Sequence, residues 1–512
     1  MLAVLGFWAL VPTVYALVGV WRHGGVVSGG ESFGVVDQFQ YMAWIRESGE
    51  HVLASNRFDV DGDRAVYLQP MWLLSGLGWR AGLPVQAAFL LWKPVAVAVL
   101  FWGYAAYARR FVAGAGRRAL ALALAFFYLA PLNALVHALG ALTADTREWA
   151  GLFTYELAPA MFTWGYFPAA LAAGATPLFL LAVERVLDPA RRRPGRSVRA
   201  YALGAAAAGL AASWVHPWQG IVLAVLLVLA AGWSARAGLG PSALRSLALP
   251  ALGLAAPLVY YVALGHWDSD WNAAAGDTDE PHHWRSVVVV VAPLALAAAG
   301  GWWAARRRVV LDLGEMLLRA WPVAILVVYT ELRHENVLQG LALPLALLAV
   351  RLWPEAAPRA ALATGIAVAA VAALPGAAYE LDKLNDSVAN EEIASRLRPG
   401  EAAALRHIGD SPRDGTVLTR FYLGEAVPSQ AGRRSYIGHP IWTRDLGRRE
   451  SLARELLSGR LSPARARELV RSTDAAFVLS DCRLRADLRP SLGPLVEREL
   501  RFGCATVYEV RR

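Results

Sequence analysis

Two stretches of this chain, LAVLGFWALVPTVYALVGV at 2–20 and VVVVVAPLALAAAGGWWAA at 287–305, run without a single charge. As helices rising about 1.5 Å per residue, each matches the roughly 30 Å of hydrocarbon in a bilayer. Further apolar segments lie at 84–107, 119–138, 167–184, 200–215, 219–234, 247–265, 320–331, 337–352 and 360–378, which makes about eleven crossings. Composition agrees: 18% of residues are charged and 56% hydrophobic, whereas soluble chains carry about a quarter charged. Many of the 20 Trp stand at segment ends, as in GWWAARRR and AGWSAR, where aromatic belts meet the interface.

Arginine orders these crossings. The second connection (ARRFVAGAGRR, 108–118), the fourth (ERVLDPARRRPGRSVR, 184–199), the sixth (Arg236, Arg245), the eighth (ARRRVV) and the tenth (Arg351, Arg359) are all basic. The positive-inside rule makes them cytoplasmic and puts the N-terminus inside. The net charge of +9 is therefore a topology signal, since no arginine stripe suits a nucleic-acid groove. The first segment lacks a basic leader and is read as retained.

The odd connections then face outward and hold most of the membrane region's Asp, His and Asn: DQFQYMAWIRESGEHVLASNRFDVDGD, TADTREWAGLFTYE, WVHPWQG, HWDSDWNAAAGDTDEPHHW and ELRHENVLQG. The sequence thus divides into a transmembrane domain over 1–378, with a first outer loop at 22–83, and an extracytoplasmic α/β domain over 379–512. In the latter, GTVLTRFY, RRSYIG, AAFVLSD and ATVYEV read as strands, and RRESLARELLSG and SPARARELVRS as helices. Ser462 and Pro463 make a helix start signal. Cys482 and Cys504 either pair, if outside, or stay reduced and buried. The fold class is mainly α, a polytopic helical membrane protein with a small outer α/β domain.

Chemistry on this chain belongs to the outer loops. Asp37 heads DQFQYMAWIRES, with Gln40 three residues on; this predicts an N-cap and an interfacial amphipathic helix with Phe39, Met42 and Ile45 on one face. A carboxylate beside a cavity could equally take a proton from a hydroxyl. FDVDGD (Asp59, Asp61, Asp63) opens like a calcium loop, but its twelfth position is Pro70, so a solvated turn is expected. His216 and Gln219 sit in the short WVHPWQG connection, as helix-end residues or as cavity lining. Arg333 and His334, amid Glu331, Glu335 and Asn336, offer donors to a phosphate. AGRRSYIGHPIWTRD gathers Arg433, Arg434, Tyr436, His439, Trp442 and Arg444, as a ligand surface or a docking surface. No Walker or G-x-G-x-x-G loop supports nucleotide binding.

A first crossing, an outer loop with an early acid, about ten more crossings and an outer C-terminal domain together resemble the GT-C glycosyltransferase superfamily, whose members use polyprenyl-phosphate-linked sugars. DQFQYMAWI is similar to that family's first-loop acidic motif, with a single acid in place of D-D, D-E or D-x-D. LQPMWLLSGLGWRAGLPVQAAFLL looks like its passage into the second crossing, and ELRHENVLQGLALPLALLAV like a late helix after a basic turn. The resemblance implies a multi-pass plasma-membrane enzyme that moves a sugar from a polyprenyl-phosphate donor to a glycan, lipid or protein hydroxyl outside the cell. Asp37 would be the general base, and Arg333 with His334 would hold the donor phosphate. Tyr41, Glu156, His216, Gln219, Asn336 and His439 would contact sugar or acceptor. No metal and no cofactor is expected, because an arginine can neutralise a monophosphate leaving group. The rival readings are a flippase for lipid-linked saccharides, which would put ionisable groups at mid-membrane, where Lys93 is the main example, and a non-enzymatic envelope-assembly protein.

Overall fold

The computed structural model describes residues 1–31, 34–62, 64–133, 140, 144–276, 283–353, 359–390, 393–484 and 486–511. Asp63, most of the third expected crossing's end and the DTDEPH part of one outer loop lie outside the described residues. Among the described residues, ten helices are long and apolar enough to cross a membrane, from Leu2–His23 to Ala363–Asp386. The expected segment at 119–138 contributes a helix over Ala115–Phe127. The segment expected at 320–331 is longer than its apolar stretch suggests, since the helix runs Leu313–Leu332 and starts on Asp312, whose carboxylate accepts the Glu315 N–H.

The chain packs as two compact units. One comprises Met1–Leu10, Lys93–Ala263 and Thr278–Lys383, and holds most of the apolar helices. Here the basic connections meet one another. Arg110 donates to Glu184 at 2.6 Å and to Asp312 at 2.7 Å, and Arg191 donates to the same Asp312 at 2.7 Å. Beside them Arg351 makes two bonds to Glu315, at 2.6 and 2.7 Å, and Arg319 adds a third at 2.7 Å. Seven charged side chains, from connections two, four, eight and ten and from the first turns of the Leu313–Leu332 helix, thus gather at one end. Lys93 is buried, with Nζ donating to the carbonyl of Ala9 at 2.8 Å, so this intramembrane cation serves a helix contact.

The other unit comprises Val11–Trp92, Leu264–Asp277 and Leu384–Arg512. Its sheet has the order β3-β4-β6-β5, from strands β3 (Thr416–Leu418), β4 (Ala475–Ser480), β5 (Val496–Phe502) and β6 (Ala505–Val510). β3 runs parallel to β4, and β6 lies antiparallel between β4 and β5. Leu418, Ile437, Leu456, Val470, Val478 and Tyr508 form part of its core. A second pair, β1 (Val26–Val27) with β2 (Arg396–Leu397), ties the first loop to the segment entering the C-terminal part. Cys482 and Cys504 form a disulfide that joins the end of β4 to the turn between β5 and β6. Ser462 caps Pro463–Ser472 as read from sequence. RRSYIG, expected as a strand, makes only a single bridge from Ser435 to Val417. RFY, expected to continue a strand, instead enters the helix Phe421–Ala426.

The first-loop helix spans Val35–His51 and is buried almost all round, including Phe39, Met42 and Ile45. It is a core helix of its unit and not an interfacial amphipathic one, because Gln38, Gln40, Glu47 and Ser48 are also buried on its other sides. Asp59 corrects the solvated-turn expectation in the same way. It is fully buried, paired with Arg449 at 3.1 Å, and accepts the backbone N–H of Arg444 at 3.0 Å.

Candidate active site

Asp37 does not cap its helix. The N-cap is Gly34, at φ 62°, and Asp37 is the third helical residue. A left-handed turn costs glycine nothing, so the helix can start on Val35, two residues before the acid. Asp37 keeps the favourable position of a carboxylate in a first helical turn. Half of its side chain is exposed (51%), and its Oδ1 lies 3.6 Å from Nε2 of His439, which is 2% exposed.

The His439 ring is held from behind. Its Nδ1 accepts the N–H of Ile441 at 3.1 Å and of Trp442 at 3.4 Å. Thr443 Oγ1 accepts from the backbone N–H groups of Gly438 and His439 and donates to the Phe58 carbonyl at 2.9 Å. An imidazole whose Nδ1 is an acceptor carries its proton on Nε2, so this hydrogen-bond network assigns an N–H directed at Asp37. Burial pushes the His439 imidazole below its ordinary value, and the Asp37 charge opposes this only in part. Glu425 completes the cluster. Burial, with the charge of Asp37, pushes its carboxyl up to about 8. The chain reaches this arrangement through a glycine pair: a Cβ on Gly424 would lie 1.8 Å from the Ile437 carbonyl oxygen, and one on Gly438 2.4 Å from Gly424.

In the other unit, four of the residues expected to contact substrate form one network. Tyr166 donates to Asn336 Oδ1 at 3.2 Å and meets His216 Nε2 at 3.3 Å. Gln339 donates to Asn336 Oδ1 at 2.8 Å and to the carboxylate of Glu156. Gln219 donates to the Gln339 carbonyl at 2.7 Å. Among the described residues, three buried acceptors of this network have no partner: His216 Nδ1, Gln219 Oε1 and Gln339 Oε1. Bare acceptors in a buried site call for a ligand rich in O–H donors, or for water. Arg333 is exposed, held in a left-handed conformation (φ 55°) as the C-cap of Leu313–Leu332. His334 follows it, its Nδ1 accepting the Asn336 N–H at 3.2 Å and its ring stacked 4.1 Å from Trp218.

Tyr41 is stacked on Trp72 at 4.8 Å. In the basic–aromatic segment, Arg433 is spent on the carbonyls of Ile408 and Ser411 and on Asp414, Arg434 on the carbonyl of Val60, and Arg444 on Asp270 and Ser269. Tyr436 and Trp442 are buried. That segment is internal docking surface, and His439 is the member that reaches a candidate reacting group. Glu425, Tyr166 and Gln339 were missed from sequence; nothing local in LGEAV marks a buried acid. Among the described residues, one trio with metal-ligand spacing occurs, Glu47, Glu50 and His51. Glu47 is already taken by Arg57 and Ser55, and its two partners are exposed.

No protein-family model matches the sequence, and no curated protein matches it. Solved structures do share its fold. The oligosaccharyltransferase AglB from Archaeoglobus fulgidus, in complex with an inhibitory peptide and a dolichol-phosphate, is 13% identical at a TM-score of 0.50, over 95% of this chain and 72% of that one. ArnT from Cupriavidus metallidurans in the apo state is 14% identical at a TM-score of 0.51, over 98% and 97% of the two chains. Identities this low speak for fold and not for chemistry. With its apolar helices and its C-terminal sheet domain, the chain shares the polytopic membrane fold of AglB and ArnT.

Proposed function

We propose that this protein is a membrane glycosyltransferase that moves a sugar from a polyprenyl-phosphate-linked donor to an acceptor hydroxyl on the extracytoplasmic side. Asp37 is the general base. The acceptor oxygen attacks the anomeric carbon and its proton passes to the Asp37 carboxylate. The bond from that carbon to the phosphate oxygen breaks, and the electron pair leaves with the polyprenyl phosphate. Within their own unit, Arg333 and His334 are the proposed donors to a donor phosphate, and the acceptors of His216, Gln219 and Gln339 the proposed partners of sugar hydroxyls. The AglB structure of the same fold carries a dolichol-phosphate, which supports this donor class.

The observation that carries the reading is Asp37 itself. It is a half-exposed carboxylate in a first helical turn, facing a buried imidazole. A carboxylate kept only for structure would be spent on a backbone N–H or an arginine, as Asp59 and Glu47 are in the same unit. In this reading arginine neutralises the leaving group, so chelation by EDTA leaves activity unchanged.

The test is Asp37→Asn, which keeps volume and helix compatibility but removes the base. Transfer from undecaprenyl-phosphate-linked sugars falls at least about 100-fold, within the range of lost general-base catalysis, while the melting temperature holds. Full activity in this variant overturns the assignment. Arg333→Ala weakens donor binding, and an unchanged donor affinity removes Arg333 from the phosphate site.

A further inference from the structure

We infer that His439 is the positioning residue of Asp37: its Nε2–H holds Oδ1 of the carboxylate and so presents Oδ2 to the acceptor hydroxyl. The inference rests on Asp37 being the base. In the serine-protease arrangement the buried member of a carboxylate–imidazole pair is the acid, and the histidine faces substrate. Here the exposures are reversed, 51% for Asp37 and 2% for His439. The group that meets substrate is the carboxylate, and the imidazole stands behind it.

Three features suit His439 to that task. Its Nδ1 is occupied by the backbone N–H groups of Ile441 and Trp442, which fixes both the ring plane and the tautomer. Its own loop is clamped to the first loop through Thr443 and the Phe58 carbonyl, so the ring cannot follow the carboxylate if the latter swings. Its Nε2 is buried and faces Asp37 Oδ1 at 3.6 Å. Around the ring stand Phe58 at 5.4 Å, Trp442 at 6.4 Å and Asp37, and the titratable groups of the cluster are Asp37 and the Glu425 carboxyl that interacts with it. Asp37 Oδ2 lies on the Gly34 side, 3.9 Å from where a Cβ would project, so the missing side chain leaves that oxygen open to approach. Burial also keeps the imidazole neutral, hence a donor of one hydrogen and not a second acid.

The full-length enzyme in detergent, with undecaprenyl-phosphate-linked sugars as donors, gives the test. His439→Ala lowers kcat about tenfold, the equivalent of one oriented hydrogen bond, with KM within about twofold. The acid-side limb of its kcat/KM profile moves to higher pH. His439→Gln, whose side-chain N–H can reach the same place, restores most of kcat and the original limb. In the Asp37→Asn background, His439→Ala adds no further loss. Wild-type kcat and profile in His439→Ala, with Asp37→Asn inactive, overturn this inference alone; an active Asp37→Asn overturns the base assignment beneath it. An independent readout needs no turnover. By 15N NMR of labelled histidine, identified through its absence in His439→Gln, the ring is neutral and Nε2-protonated at pH 7, and Asp37→Asn shifts that resonance. An Nδ1-protonated or cationic ring, or no shift, overturns the inference for any substrate.

Discussion

Arg110 and Asp312 stand 202 positions apart in the chain, and their side chains meet at 2.7 Å. Arg191 joins the same carboxylate. The residues come from the second, fourth and eighth connections between apolar helices, and such a meeting requires those connections to share one end of their unit. Tyr166, His216 and Asn336, from three odd connections, likewise meet one another.

That grouping predicts a labelling pattern. Cys482 and Cys504 are bonded to each other, so they do not compete for a thiol reagent. A membrane-impermeant maleimide applied to intact cells labels Glu331→Cys and spares Ala113→Cys, both exposed positions. Permeabilised cells label both. The reverse pattern would turn the protein over in the membrane and put the Tyr166 network on the cytoplasmic side.

Charge burial separates two members of the arginine cluster. Glu315 is 3% exposed and holds Arg351 and Arg319, while Asp312 is 26% exposed. Removing one partner of a buried pair leaves a charge without compensation and costs about 3–5 kcal/mol; a partly solvated pair is worth about 1 kcal/mol or less. Thermal unfolding in detergent therefore shows Glu315→Ala as far less stable than wild type, and Asp312→Asn as only slightly so. Equal losses would mean that water reaches Glu315 as readily as Asp312.

The contrast between legible and hidden features follows from range. Arginine at segment ends is a local rule, and the Arg110 and Arg351 clusters agree with the alternation it implies. The Ser462 cap is local as well, and it forms as expected. A local rule misplaces Asp37: D-Q-F-Q imitates a capping box, but Gly34 starts the helix earlier by a backbone turn that the acid does not control. The burial of Asp59 is hidden from local sequence because its partner Arg449 lies 390 residues away. Pairing with His439 and proximity to Glu425 are invisible for the same reason, since both come from the C-terminal segment and depend on the close approach of Gly424 and Gly438. Four of the residues named from the outer connections (Glu156, His216, Gln219 and Asn336) do converge, because short polar connections between apolar helices leave few other places for such side chains.

Tyr166→Phe tests the network in isolation. It removes the hydroxyl between His216 and Asn336 and little else. A neutral hydrogen bond contributes about 1 kcal/mol, or roughly fivefold. If the network orders the acceptors for donor sugar, KM for the donor rises by about that factor while kcat changes less, the pattern of lost ground-state binding. A drop in kcat at constant KM would assign the network to the transition state instead.

Glu425 gives the pH dependence a definite sign. Its carboxyl is raised from an ordinary 4.5 to about 8 in the fold. Between those values the folded chain keeps a proton that the unfolded chain has released, so the unfolded state binds fewer protons and stability falls as pH rises. The contribution is whole below about 4.5, declines through the window and is gone above about 8. At about 1.4 kcal/mol per unit, the total is a few kcal/mol. Glu425→Gln has no proton to lose, so against wild type it gains stability steadily from pH 5 to 8 and the gap then stays constant. His439 works in the opposite sense: its lowered value makes stability fall as pH drops below about 6.5. The Glu425→Gln variant therefore keeps the acid-side loss while shedding the alkaline one. Melting temperatures of the two proteins at pH 5, 6, 7, 8 and 9 check this, and parallel curves would mean that Glu425 is ionised in the folded protein throughout.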